Sequence, residues 1–275
     1  MSKILEQTLG QIYEILGSEI ENLSVERVVF GLFFTGVKLN NGVAGVSYTP
    51  LKSLGSAVCC PSQADKMPLS GRLVGKNVKY FLQDIHSDKS LKKTLAIAVI
   101  NALAQTCLQK NPNLHELEFD ADPFDKLDIK ADSFSVIVGA LVPYIKFMMK
   151  NGRDFRILEL DKSVLKPDEL KFYLPAQAAS EVVPKADNLI ITGTTLINDT
   201  LENLLAMKKT DANVVIVGPT VSMLPKAMFD RGVSYAGGVY VRDADALLDV
   251  IAEAGSGYHF FGKFANKITI SAKRG

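Results

Sequence analysis

The chain has 275 residues, of which 47% are apolar and 22% charged, as in an ordinary globular protein; disordered, collagen-like and coiled-coil chains are excluded. That length suggests two domains more readily than one. Lys plus Arg is 31 against 30 for Asp plus Glu, so the basic excess of a nucleic-acid-binding chain is missing.

Glu6 and Glu14 interrupt the first apolar pattern, which therefore does not read as a signal peptide. Leu5, Leu9, Ile12, Leu16 and Ile20 recur at three and four residues and predict an amphipathic helix over 4–20. Strands follow over 27–39 and 43–49. Asn40-Asn41-Gly42 between them is a hairpin signal, because Asn and Gly tolerate positive φ. Residues 50–75, rich in Ser, Gly and Pro, read as irregular. A second helix is predicted over 90–109. Its densest apolar run, 95–104, is too short for a bilayer and contains Asn101. The alternating run 114–119 reads as a strand. Five aspartates and one proline in 120–132 read as a linker, and their spacing fits no EF-hand loop. Residues 1–125 are thus expected to form an α+β domain.

Beyond Ser133 the texture changes. Apolar runs without alternation occupy 134–138, 155–158, 189–191, 214–217 and 233–239, mostly separated by stretches of helical length. Continuous Val/Ile runs suit parallel strands covered on both faces. Residues 126–275 are therefore expected to form a Rossmann-like parallel-sheet domain, and the fold class is α/β with a smaller α+β N-terminal domain. The three cysteines, Cys59, Cys60 and Cys107, form no disulfide framework and read as reduced, partly buried thiols. A cytoplasmic protein is expected, with neither nucleic acid nor membrane as partner.

In open α/β sheets ligands bind beyond the carboxyl ends of the strands. The first such end is Gly139, where a ligand could approach the backbone or a simple tight turn could form. Leu141 and Tyr144 replace the later glycines of G-x-G-x-x-G, so no appreciable NAD or NADP binding is expected. Glu159 lies twenty residues on, the place of an acid that grips a ribose hydroxyl; a solvated strand-end acid is the plainer reading. The third end supplies Gly193, Thr194, Thr195, Asn198 and Thr200. Asp199 and Glu202 have capping-box spacing there, and a helix N-terminus suits an anion. The alternative is that all these residues are caps and turn formers. The fourth end is Gly218-Pro219-Thr220, expected to line the same crevice as the third.

Sharper motifs fail. Gly71 to Asn77 is one residue short of a P-loop and has Asn where Ser or Thr would hold magnesium. His86, His115 and His259 belong to no metal-binding pair. No G-x-S-x-G elbow occurs. Arg153 and Arg156 read as strand-flanking surface charges.

At the strand ends the sequence resembles a known family. Ile191 to Leu201 is similar to its TG-[ST]-T-hydrophobic-x-N-x-T-hydrophobic segment. Val217-Gly218-Pro219-Thr220 resembles its GP-[ST] segment, and Phe229, Gly232-Val233 and Gly237-Gly238-Val239 resemble its F-x-x-G-V region. The family is the heavy-metal chelation family of largely uncharacterised prokaryotic proteins. The resemblance implies an N-terminal domain like that of enolase, compatible here with Phe34-Thr35-Gly36-Val37, the hairpin and Asn101-Ala102-Leu103. It further implies a Rossmann-like second domain, a ligand cleft between the two and a homodimer. A heavy-metal ion would arrive already chelated, or be held by oxygen ligands such as Glu159.

The expected function is binding of a small anionic or metal-chelating molecule in the interdomain cleft. The competing expectation is an enzyme using a nucleotide or S-adenosylmethionine-like cofactor. A third is an oligomeric scaffold without a ligand, which leaves two hydroxyl-rich turns without a role.

Overall fold

The computed structural model describes residues 2–53 and 69–272. Cys59, Cys60 and most of the irregular stretch 50–75 lie outside the described residues.

The first half begins with α1 (Lys3–Leu16), whose apolar stripe is buried and whose N-terminus is capped by the Ser2 hydroxyl, which accepts from the Leu5 N–H. The helix is shorter than its periodicity predicts. It tightens after Leu16 into a 3-10 turn, Gly17–Asn22. β1 (Val25–Phe30), β2 (Phe34–Leu39) and β3 (Ala44–Tyr48) form an antiparallel sheet in that order. The single strand expected over 27–39 is two. The chain reverses at Gly31, whose N–H donates to the Phe34 carbonyl, and β1 then pairs back on β2. The Asn40-Asn41-Gly42 turn forms as read, joining β2 to β3.

Two helices follow, α2 (Val78–Leu82) and α3 (Ser90–Lys110). The 21 residues of α3 are long and apolar enough to cross a bilayer, yet 89% of its most apolar window is buried inside the protein. One side of the helix packs on the three-stranded sheet. Gly45 of β3 lies so close to Ala98, Asn101 and Ala102 that a Cβ there would overlap their backbone. Another side meets the second half, so α3 is buried almost all round.

The second half is an eight-stranded sheet. Its elements are β4 (Leu117–Phe119), β5 (Phe134–Val138), α4 (Val142–Lys150), β6 (Asp154–Glu159), β7 (Tyr173–Pro175), α5 (Ala179–Val182), β8 (Asn188–Thr192) and α6 (Leu201–Met207). Next come β9 (Asn213–Val217), α7 (Lys226–Phe229), β10 (Tyr235–Val241), α8 (Ala244–Ala252), α9 (Gly257–Phe260) and β11 (Ala265–Ser271). The spatial order is β4-β11-β10-β9-β8-β5-β6-β7. The six strands from β5 to β10 are parallel, and β11 runs against both of its neighbours. The fold class is thus α/β, a mostly parallel sheet beside a small antiparallel one.

The acidic stretch 120–132 is exposed over much of its length but is anchored by buried Pro123, Phe124 and Leu127. Phe124 is 5% exposed and stacks on Tyr144 with ring centroids 4.4 Å apart. The Tyr144 hydroxyl donates to Asp122 Oδ1 at 2.8 Å. Burial, first, and the neighbouring Asp122 push the Tyr144 phenol far above its ordinary value, so it stays a donor. Alternation and charge hid this, because one buried aromatic outweighs several solvated aspartates.

Candidate functional site

Taken from β5 in chain order, the parallel strands have the spatial order 3-2-1-4-5-6. The order reverses between β5 and β8, whose crossovers leave in opposite directions. A crevice opens there at the carboxyl ends of the strands. In this protein it is a cavity of about 240 Å³.

Its walls come from the ends of β5, β6 and β8 and from α5 and α6. Gly139, Glu159, Thr194, Thr195, Asn198 and Thr200, drawn from three strand ends, all line it. Gly139 has φ +98, and a Cβ there would sit 2.7 Å from Thr192 Cγ2, so only glycine lets β5 turn this close to β8. Glu159 Oε1 accepts from the N–H of Leu160 at 2.7 Å and of Asp161 at 3.3 Å. That arrangement fixes the carboxylate and leaves Oε2 without a partner among the described residues.

The turn after β8 is internally bonded. Thr195 Oγ1 donates to the Thr192 carbonyl at 2.7 Å, and Thr194 Oγ1 contacts Thr192 Oγ1 at 3.2 Å. Thr200 Oγ1 donates to Asn198 Oδ1 at 2.7 Å, so the Asn198 amide nitrogen is left for a ligand. The capping box expected of Asp199 and Glu202 does not form. Asp199 takes a left-handed backbone, φ +59, and its carboxylate pairs with Lys93 Nζ at 2.5 Å. Glu202 Oε1 accepts instead from the Ile4 N–H at 2.8 Å, capping α1. Both acids therefore clamp the cavity wall to the first half of the chain, through α3 and α1.

Gly218, Pro219 and Thr220 do not line this cavity. The Tyr48 N–H donates to Thr220 Oγ1 at 3.0 Å, and Asn101 Nδ2 reaches the carbonyls of Pro219 and Thr220, each at 3.2 Å. The turn after β9 is a seat for β3 and α3. Gly193 lies between the two turns. A Cβ on it would sit 2.3 Å from Val221 Cγ2, so it serves turn-to-turn packing.

Sequence reasoning missed Asn203, Leu204 and Met207 of α6, which also line the cavity. Their spacing from Thr200, at three, four and seven residues, is one helical face and was the available signal. Ala176 and Ala179, before and at the start of α5, carry no such signal.

Two residues beyond Glu159, Asp161 Oδ2 pairs with Lys52 from the first half at 2.5 Å. Hydrogen bonds from Lys52 and Ser163 hold the Asp161 carboxyl well below the usual carboxylate range. Among the described residues no three His, Cys, Asp or Glu side chains gather to hold a metal ion.

Two family profiles, each described as "Putative heavy-metal chelation", match residues 13–104 and 122–270. An uncharacterised protein of Methanocaldococcus jannaschii is 28% identical over 266 residues, covering 94% of this chain and 95% of its own. A crystal structure of a DUF364-family protein of unknown function from Pyrococcus horikoshii superposes with TM-score 0.77 at 18% identity. It covers 98% of this chain and 100% of its own. Another from Desulfitobacterium hafniense gives TM-score 0.66 at 19% identity, covering 96% and 99%. These solved structures share the fold.

Proposed function

This chain belongs to the heavy-metal chelation family, and from that premise we propose that its switch-point cavity binds a small organic molecule, a metal entering only as that molecule's chelate. The observation that carries the reading is convergence. Residues from three strand ends and two helices meet around about 240 Å³ at the place where doubly wound sheets hold ligands.

The donor set argues against a bare soft metal ion. Soft metals favour thiolate and imidazole, whereas the described residues of this lining offer one carboxylate, threonine hydroxyls and the amides of Asn198 and Asn203. Those residues do not fit such an ion held by them alone. Electrostatics narrows the ligand further. With Glu159 and no Lys, Arg or His among the described residues of the lining, a neutral or positively charged ligand is favoured over the anionic one that the hydroxyl-rich turns suggest. Glu159 is also the one titratable side chain among the described residues of the lining. Those residues bind and orient, and they supply no acid–base pair. The cavity's described walls come from the second half, with the first half acting through clamps such as Lys93–Asp199.

Native mass spectrometry with elemental analysis tests this on the wild type and on Ala179→Phe, which fills the cavity. The expected result is a retained organic mass, with any metal in proportion to it, both lost in the variant. Metal retained without organic mass, or an identical spectrum from the variant, would overturn the proposal. The same spectrum reads the homodimer that the proposal carries with it.

A further inference from the structure

We infer that the molecule held in this cavity is a ribonucleoside whose 5′ carbon bears no phosphate. The inference rests on the reading of the cavity as a small-molecule site and names the ligand class. Three observations carry it.

The first is the placement of Glu159. It ends β6, the second strand of the 3-2-1-4-5-6 order, one strand out from the switch point. In doubly wound sheets an acid at that place takes hydrogen bonds from ribose hydroxyls. A carboxylate only accepts, so its partner must donate. Oε1 is engaged by Leu160 and Asp161, and the free Oε2 is fixed to receive a sugar hydroxyl.

The second is the exclusion of phosphate at the turn after β5. A phosphate there would need free backbone N–H groups at the start of α4. Those groups are spent. Leu141 donates to Gly139, Val142 to Ala140, and both Tyr144 and Ile145 to Leu141, at 2.8 to 3.0 Å. Pro143 has no N–H. Among the described residues no Lys, Arg or His of the lining replaces them. A dianionic phosphate entering beside Glu159 would meet like charge, with only neutral donors such as the Asn198 amide and the threonine hydroxyls to offset it among the described residues.

The third is size and wall chemistry. About 240 Å³ falls below the roughly 300–1,000 Å³ of sites for drug-sized ligands. One nucleoside suits that space and a dinucleotide does not. Leu160, Ala179, Leu204 and Met207 supply apolar wall for a flat base, Met207 through a polarisable sulfur.

Calorimetry on the full chain tests this with adenosine, guanosine, cytidine and uridine, then with the 2′-deoxy and 5′-monophosphate forms of the best binder. At least one ribonucleoside should bind. Removing its 2′-hydroxyl, or changing Glu159→Gln, should weaken binding roughly 10- to 100-fold, the range for one charge-assisted hydrogen bond. The glutamine variant keeps an oxygen for Leu160 and Asp161, and its melting curve should match the wild type. The 5′-monophosphate should bind at least about 10-fold more weakly than the nucleoside. A monophosphate that binds as tightly, or a 2′-deoxy form that binds equally well, overturns the inference. So does failure of all four nucleosides at millimolar concentration. If that failure comes with an organic mass that Ala179→Phe removes in the native spectrum, the ligand class is wrong and the small-molecule reading stands. If the Ala179→Phe spectrum is unchanged, both are wrong.

Discussion

The turns after β8 and β9 look alike in sequence, each a glycine followed by hydroxyl residues at a strand end, and the protein uses them for opposite purposes. Residues 193–200 bond mostly among themselves and present Thr194, Asn198 and Thr200 to a cavity. The 218–222 turn gives the Thr220 hydroxyl and the carbonyls of Pro219 and Thr220 to the first half, through Tyr48 and Asn101. A Gly-hydroxyl turn therefore marks a place where polar contact is made. The partner is decided by what packs above it, and here α3 and β3 cover one turn and leave the other open.

The largest effect that would break this contrast concerns the clamp on the open turn. Asp199→Asn keeps a residue suited to the left-handed backbone and removes the charge facing Lys93, whose side chain is 2% exposed. An uncompensated buried ammonium should cost about 3–5 kcal/mol in urea unfolding. Lys93→Met should cost distinctly less, because Asp199 is 43% exposed and water can take over its charge. Equal losses would show that burial does not govern this pair.

Next comes the covered turn. Asn101, 1% exposed, donates to the carbonyls of Val46, Pro219 and Thr220. Asn101→Leu should destabilise by about 1–3 kcal/mol, seen as a lower Tm. Once a ligand is identified, the affinity of the folded variant for it should be unchanged. A selective loss of affinity would mean that the covered turn takes part in binding.

The open turn should behave the other way round. Asn198 is exposed, and it bonds only within its own turn. Asn198→Ala should leave stability within about 1 kcal/mol of wild type while weakening the ligand roughly 3- to 100-fold by calorimetry. Unchanged affinity would reduce the turn to a structural cap.

The smallest effect concerns the Lys52–Asp161 pair. The Asp161 carboxyl lies below its ordinary value because Lys52 and Ser163 hold its charged form. That contribution is fully present above about pH 3.9 and is lost as pH falls through the lower folded value. Lys52→Met should therefore lower Tm slightly at pH 7, with the difference from wild type vanishing in strong acid. A difference that grows with acid would contradict the pairing.

Much of this was legible in the residues. The Val/Ile runs marked β5, β6, β8 and β9 closely, because strands covered on both faces leave no alternation to misread. Gly139, Glu159 and the 193–200 turn were legible as strand ends, and the structure brings them to one cavity. The linker reading of 120–132 missed its buried anchor because propensity weighs solvated charges and cannot see that Phe124 has Tyr144 to stack on. The capping-box reading failed because Asp199 and Glu202 meet partners 106 and 198 residues away, which outcompete local N–H groups.

The sequence by itself determined the class of the protein, most strands of its larger sheet (β7 and β11 excepted) and the residue types at the strand ends it marked, since burial on two faces and turn geometry act over a few residues. It also carried the family resemblance, which the matches over 13–104 and 122–270 support. Tertiary structure alone decided the strand order that puts β5 beside β8, and with it the site of the cavity. Tertiary structure also decided which of two similar turns stays open. Both depend on long-range packing: α3 must be buried on all sides, and the surfaces available to bury it include the turn after β9.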